Sequence, residues 1–204
     1  MKDPATKKRS RRLVAIVAAV LVLVLAGAGF AAFALTRTDT HSISTPATAG
    51  GMKREADKET ALKAQLDAAE TQFKSQGKDV SYVKSAIYNQ TDAKRGPAGS
   101  LVFLGGKEKT AQKPDAFIKE FVKFIDEIGK QAGADKFKIA NVSAGDAGGK
   151  AVCASQTQQG QKIAICAWAT EDSMGEVIPT VPGWDAKTLT KVMLDLRADV
   201  EKSE

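Results

Sequence analysis

The chain has one histidine and two cysteines among 204 residues, with only six prolines, two tryptophans and two tyrosines. So few Cys and His exclude a zinc centre of the usual Cys/His kind and a disulfide-dense scaffold. They also leave almost no imidazole for general acid–base chemistry. Hydrophobic residues make up 43% and charged residues 26%, which excludes a wholly disordered or fibrous chain. The length allows one folded domain with accessory segments.

No charge of one sign runs through the body of the chain. Residues 1–12 carry Lys2, Lys7, Lys8, Arg9, Arg11 and Arg12 against Asp3, a net of +5, while residues 52–204 carry 23 basic against 22 acidic side chains. The net charge of +6 therefore belongs to a short tail and not to a basic face, so no nucleic-acid partner is expected. The tail runs into residues 13–35, LVAIVAAVLVLVLAGAGFAAFAL, with no charged side chain. A helix of that length spans ~34 Å, enough for a hydrocarbon core of ~30 Å. Backbone groups in lipid must be paired within the segment, which dictates a helix. The basic flank predicts residues 1–12 in the cytoplasm and residues 36–204 outside, as a single-pass protein of the cell membrane in contact with lipid through residues 13–35.

A cleaved signal peptide is the alternative, with Ala32, Phe33 and Ala34 as an A-x-A site, but the apolar run exceeds the ~7–15 residues of a signal core. A lipoprotein signal is excluded because no cysteine follows the run. Gly27 and Ala31 form a small-xxx-small pair, a helix-packing face through which an accessory subunit would associate with another membrane protein.

Residues 36–51, TRTDTHSISTPATAGG, lack hydrophobic periodicity and read as a flexible linker, with His41 as a solvated member. From residue 52 the pattern is that of an α+β domain. Leu62, Leu66, Ala69 and Phe73 form one stripe of a helix over about 54–75, with Glu59/Lys63 and Glu70/Lys74 as i,i+4 pairs and Gly77 at its end. Residues 80–90 and 100–104 read as strands, the second ending in a Gly105-Gly106 turn after which 107–110 pair back. Pro114 opens a helix whose inner face carries Phe117, Phe121, Phe124, Ile125 and Ile128. Residues 137–142 are a strand, 143–150 a glycine-rich loop, 151–157 and 162–170 a hairpin, and 175–181 a further strand. Asp185 caps a last helix with the stripe Leu189, Val192, Met193, Leu196 and Val200. The expected architecture is a largely antiparallel sheet with helices packed on one face.

Cysteines outside the membrane are expected to be oxidised. A two-residue loop at Gln159-Gly160 sets Cys153 directly opposite Cys166, because cross-strand partners then have numbers summing to 319. Counting out from the turn, 153/166 is a non-hydrogen-bonded pair, the class with the shorter Cα separation of ~4.5 Å, which a disulfide spans. A redox-active pair would favour the C-x-x-C spacing, absent here.

The stretches Gly149-Lys150-Ala151-Val152-Cys153 and Ile165-Cys166-Ala167-Trp168-Ala169, followed by Gly175 and Val177, resemble a group of uncharacterised actinobacterial single-pass membrane proteins with a C-x-W motif and a paired cysteine in the extracellular domain. Similar too are Leu101-Val102-Phe103-Leu104-Gly105-Gly106 with its following Phe-rich helix, and the final helix containing Arg197. The group often carries an acidic residue two places after the tryptophan; here Thr170 stands there, followed by Glu171 and Asp172. The resemblance implies a compartment and a disulfide and no mechanism.

Chemical motifs fail when tested. Residues 145–150 look like a phosphate loop, but Ala144 and Ala151 occupy defining positions of a Walker A and a strand follows. Asn89-Gln90-Thr91 and Asn141-Val142-Ser143 match the glycosylation sequon, a pattern frequent by chance. Glu171, Asp172 and Glu176 lack the ligand series of a calcium loop and read as a solvated acidic turn. Ser155 and Ser173 have no nucleophile-elbow context and no histidine base within 52–204. Trp168 shares a hairpin face with Cys166 and is expected over the disulfide; Trp184 reads either as an anchor at the helix start or as a surface contact. No catalytic, cofactor-binding or metal-binding residue set is expected. The pattern points to a membrane-anchored, non-enzymatic extracellular domain that binds an envelope component or another membrane protein. Alternatives are the accessory subunit above and a carboxylate-based hydrolase with two acids converging in one pocket.

Overall fold

A computed structural model describes residues 40–76, 79–131 and 136–203. The predicted basic tail, the apolar segment 13–35 with Gly27 and Ala31, the first four residues of the predicted linker and Gly77 lie outside the described residues. Among the described residues no helix is long and apolar enough to cross a membrane.

The elements are β1 (His41–Ile43), β2 (Thr48–Ala49), β3 (Met52–Arg54), α1 (Ala56–Ala61), α2 (Lys63–Gln76), β4 (Val80–Gln90), β5 (Gly99–Glu108), α3 (Pro114–Gln131), β6 (Lys138–Val142), β7 (Lys150–Gln158), β8 (Gln161–Ala169), β9 (Ser173–Pro179), α4 (Ala186–Val200) and β10 (Glu201–Ser203). Eight strands form one sheet in the order β2-β3-β4-β5-β9-β8-β7-β6, and β1 pairs with β10 in a separate ribbon. Every pairing is antiparallel. The class is α+β around a large antiparallel sheet.

The expectation of helices on one face is overturned. Leu101, Val102, Phe103 and Leu104 are consecutive on β5 and all buried. Because side chains alternate along a strand, Leu101 and Phe103 enter one core while Val102 and Leu104 enter another. Such a strand needs cover on both sides. α4 supplies Leu189, Val192, Met193, Leu196 and Val200 to the first core. α2 supplies Leu66, Ala69 and Phe73 to the second, and α3 supplies Phe117, Phe121 and Ile125, with Phe124 half-buried against them. Phe73 meets Phe117 edge to face, centroids 5.9 Å apart.

Three local expectations are corrected. The predicted helix over 54–75 breaks at Leu62, which leaves helical geometry (φ −108°, ψ 17°) between α1 and α2. Glu59 pairs with Arg54 and Lys63 with Asp67, instead of with each other, and the Glu70 carboxylate accepts from the Ser85 hydroxyl. Gly105-Gly106 is no turn: β5 runs through both glycines to Glu108 and pairs with β4 and β9 along that length. A Cβ on Gly105 would stand 2.4 Å from Phe103 Cζ and 2.8 Å from Ile43 Cγ2; the bare backbone there makes room for a core ring and for β1. The strand placed over 175–181 covers Ser173–Pro179.

The predicted linker is corrected as well, for residues 40–51. Ile43 and Ala49 are buried in the first core, and a Cβ on Gly50 would stand 2.8 Å from the Leu196 amide nitrogen of α4. Thr/Ser-rich composition suggested a solvated tether, but β1 pairs with β10, Ile43 standing opposite Glu201 and His41 opposite Ser203, a pairing with no local signature.

The hairpin follows its turn chemistry. Gln159 (φ 52°) and Gly160 (φ 77°) are both left-handed, as a two-residue hairpin loop requires. The register sets Cys153 opposite Cys166, and the two form a disulfide with Cα atoms 4.1 Å apart. Asp185 accepts from the Thr188 amide at the start of α4, which holds its carboxyl below the usual range. Replacing both cysteines by alanine is expected to lower unfolding stability by ~3 kcal/mol in a urea titration under oxidising conditions, the chain-entropy value for a loop of this size.

Candidate functional site

The cluster richest in polar chemistry lies where β1, the turn 170–172, the start of β9 and β10 meet. Its origin is local. Thr170 closes the turn after β8, its hydroxyl accepting from the amides of Ser173 at 2.9 Å and Asp172 at 3.2 Å. That turn directs the Asp172 carboxylate at β1. Asp172 Oδ2 accepts from the His41 amide at 2.7 Å, and Oδ1 lies 2.6 Å from His41 Nδ1. His41 is 7% exposed and Asp172 1%. The single histidine, expected in solvent, is thus buried on a carboxylate. A second tie comes from Tyr82, whose hydroxyl accepts from the Ile43 amide at 3.0 Å.

Ser173 continues the network. Its Oγ lies 2.7 Å from the Thr170 hydroxyl and donates to Glu201 Oε1. Glu201 Oε2 accepts from Trp168 Nε1 at 3.0 Å and from Arg197 Nε. Arg197 lies over the Trp168 ring, 5.7 Å from its centroid, and its Nη1 donates to the carbonyls of Ala144 and Gly148. The glycine-rich loop therefore presents carbonyl oxygens to a cation, whereas a phosphate loop presents N–H groups. Arg197 and Glu201 are buried, at 2% and 0% side-chain exposure, and α4 brings them together because they stand four residues apart across its end.

Sequence reasoning missed Glu201, Arg197 and the hydroxyls of Thr170 and Tyr82 as one network. Arg197 did carry a signal. It interrupts the buried stripe of α4 between Leu196 and Val200, and a charge on a buried stripe demands a partner. Trp168 shares the first core with Cys153 and Cys166 and stacks on Phe103, centroids 6.0 Å apart with rings 6° from parallel. Gly175 makes this possible: a Cβ there would stand 2.2 Å from the Trp168 ring. Trp184 is buried in the same core, which decides between its two sequence readings in favour of the anchor.

The three acids grouped in sequence do not converge. Glu171 is exposed, Asp172 belongs to the network, and Glu176 points to the opposite side of the sheet, between Leu104 and Ala167. Among the described residues no three His, Cys, Asp or Glu are arranged to hold a metal ion. His41, Asp172 and Ser173 are the residue types of a hydrolytic triad, yet a triad needs the hydroxyl bonded to the imidazole. Here Ser173 Oγ bonds to Thr170 and Glu201, and the hydrogen bond from the His41 ring goes to Asp172. Ser155 stands on β7 opposite Lys138 and Ala164. The arrangement is a clasp: it fixes the first strand of the domain to the last.

Two consequences can be measured. Arg197→Met strands the Glu201 carboxylate in the core and is expected to cost ~3–5 kcal/mol in urea unfolding. Adding Glu201→Gln, whose oxygen can still accept from Trp168 while its NH2 donates to the Ser173 hydroxyl, recovers part of that loss; a double variant no more stable than the single one counts against the buried pair. Glu176, with Oε1 unpartnered, is pushed up to about 8 by burial from 4.5, so it is protonated in the fold at neutral pH. Its contribution is complete below pH 4.5 and is lost as the pH rises through about 8, because the unfolded chain releases that proton first. Glu108, pushed up to about 7 by burial, acts in the same direction. Between pH 5 and 9 the Tm of Glu176→Gln should fall less than that of the native chain, Glu108 accounting for the remaining slope. No known protein family, curated protein or solved structure matches the chain.

Proposed function

We propose that this protein is a membrane-anchored extracellular domain that binds an envelope component or another membrane protein and performs no catalysis. The reading begins with the 23 apolar residues at 13–35 behind a tail of net charge +5, the pattern of a single helix with its N-terminus in the cytoplasm. A buried disulfide between Cys153 and Cys166 suits the oxidising side of that membrane.

The observation that carries most weight is the clasp on His41. The apolar run ends at residue 35, and His41 is already tied by Asp172 into the domain. The residues between can reach at most ~20 Å even fully extended. A domain so tethered stands close to the lipid, with the β1 end of the sheet toward the membrane. The opposite end, bearing residues 91–98, the Gln159-Gly160 turn and residues 180–185, faces away. A domain held upright in this way is suited to present its flanks and outer end to neighbours; a long tether would let it tumble.

Thiol labelling of intact cells with a membrane-impermeant reagent, followed by mass measurement, tests the reading. The expected result is a 21.6 kDa species whose cysteines label only after reductant is added from outside. A species shortened at Ala34 would make the domain secreted, and cysteines that label only after the membrane is opened would place it in the cytoplasm; either outcome overturns the anchored extracellular reading.

A further inference from the structure

The two edges of the eight-stranded sheet are treated differently. The β2 edge is two residues long and closed by α4, with the Gly50 amide donating to Asp199 Oδ2 at 2.8 Å. The β6 edge is open. Among the described residues β6 has β7 as its one sheet neighbour, and Lys138, Ile139, Ala140 and Asn141 are all exposed. Of the devices that blunt an edge, β6 has its short length of 5 residues and Lys138, but it holds no proline, its register with β7 is unbroken from Lys138 to Val142, and Ile139 stands 37% exposed.

The register says which backbone groups are on offer. Gln158 and Gln161 flank the two-residue turn as a hydrogen-bonded pair, and the classes alternate, so Cys153 turns its own N–H and C=O away from β8 and toward β6. Its partner there is Ala140. Lys138, Ala140 and Val142 therefore bond to β7, while the N–H and C=O of Ile139 and Asn141 point outward. This is the template on which an extended segment adds as a further strand.

Charge selects the occupant. Lys136 and Lys138 stand at the start of the edge. α4 turns toward this flank the side that carries Thr190, 3.3 Å from Cys153, and Leu194, against Gly145, and Lys187 and Lys191 are exposed beside them. Asp146 is the one acid in the loop after β6. A second copy of the chain is a poor occupant: it would bring two such sets of lysines to one seam. Antiparallel self-pairing would also turn the β1 end of the second copy away from the membrane that holds the first.

We propose that the β6 edge is a docking site for an extended polypeptide segment with acidic flanks on a partner protein, which joins the sheet through Ile139 and Asn141. The proposal rests on the reading of the chain as a binding domain and names its partner as polypeptide, not glycan or lipid.

The test uses the full chain in lipid nanodiscs and a synthetic peptide alternating valine and threonine between Asp-Glu pairs at both ends. Saturating peptide should slow hydrogen exchange at the Ile139 and Asn141 amides about tenfold, the protection of a bond worth ~1.4 kcal/mol. Unchanged exchange at both overturns the proposal. Asn141→Pro removes an outward N–H that β7 does not use, so the edge strand tolerates it; it should weaken binding about tenfold, while Asn141→Ala binds as the native chain does. Equal binding by the proline variant overturns the edge as the site. A peptide with Asn-Gln ends should bind roughly threefold more weakly at low salt, and equal binding would overturn the acidic partner. Strand binding that persists when thiol labelling places the domain in the cytoplasm would remove the extracellular reading and leave the docking site standing.

Discussion

The carboxylate of Glu201 is the point on which the β1 end of the domain depends. Set at the junction of α4 and β10, it takes hydrogen bonds from Ser173, Trp168 and Arg197. Through Ser173 it reaches the turn that carries Asp172, and through Arg197 it reaches the loop between β6 and β7. A charge that leaves water must recover its lost hydration from fixed partners, or the fold does not hold it. Glu201 recovers it from three elements at once, so the same bonds that satisfy the charge also fix β9, α4 and the loop relative to one another. β1 then has a prepared place, with Asp172 and Tyr82 on its amides and β10 at its edge.

The sheet explains why a second buried acid is tolerated on other terms. Its middle strands are apolar on both faces and are covered on both, by α4 on one side and by α2 and α3 on the other. Glu176 faces the second side, where burial raises its carboxyl pKa, and keeps its proton instead. The two acids stand within one fold as opposite solutions to the same desolvation problem. Glu201 is held by a network, and Glu176 is neutral. The disulfide lies in the first core beneath α4, bracing β7 and β8 just inward of the open β6 edge.

Much of the fold was legible in short-range patterns. The stripe of α4, its Asp185 cap, the Phe-rich face of α3 and the full length of β4 all appear where periodicity and caps placed them. The cysteine pairing was legible for a stricter reason: a two-residue turn fixes register by arithmetic, so Cys153 and Cys166 face one another whatever surrounds the hairpin. The glycines of β5 misled because glycine marks turns in isolation, and only the presence of Phe103 and Ile43 shows that it marks a close approach here. The clasp was illegible in most of its parts. His41 sits among threonines and serines, and nothing near it in sequence announces Asp172 on the far side of the chain.

By itself the sequence determined the elements whose partners are neighbours along the chain: helices with an apolar stripe, the hairpin and its disulfide, and the apolar run at 13–35. Burial on both faces of β5 and β8 was present in it too, as unbroken apolar runs, but which helix covers which face was not. Tertiary structure alone decided that residues 40–51 belong to the domain, that Glu171, Asp172 and Glu176 go three separate ways, and that one sheet edge is closed while the other stays open. The physical reason is the same in each case. These features depend on which groups meet after the chain has closed loops of up to a hundred residues or more, and a hydrogen bond or buried charge has no preference that local sequence can express until its partner arrives.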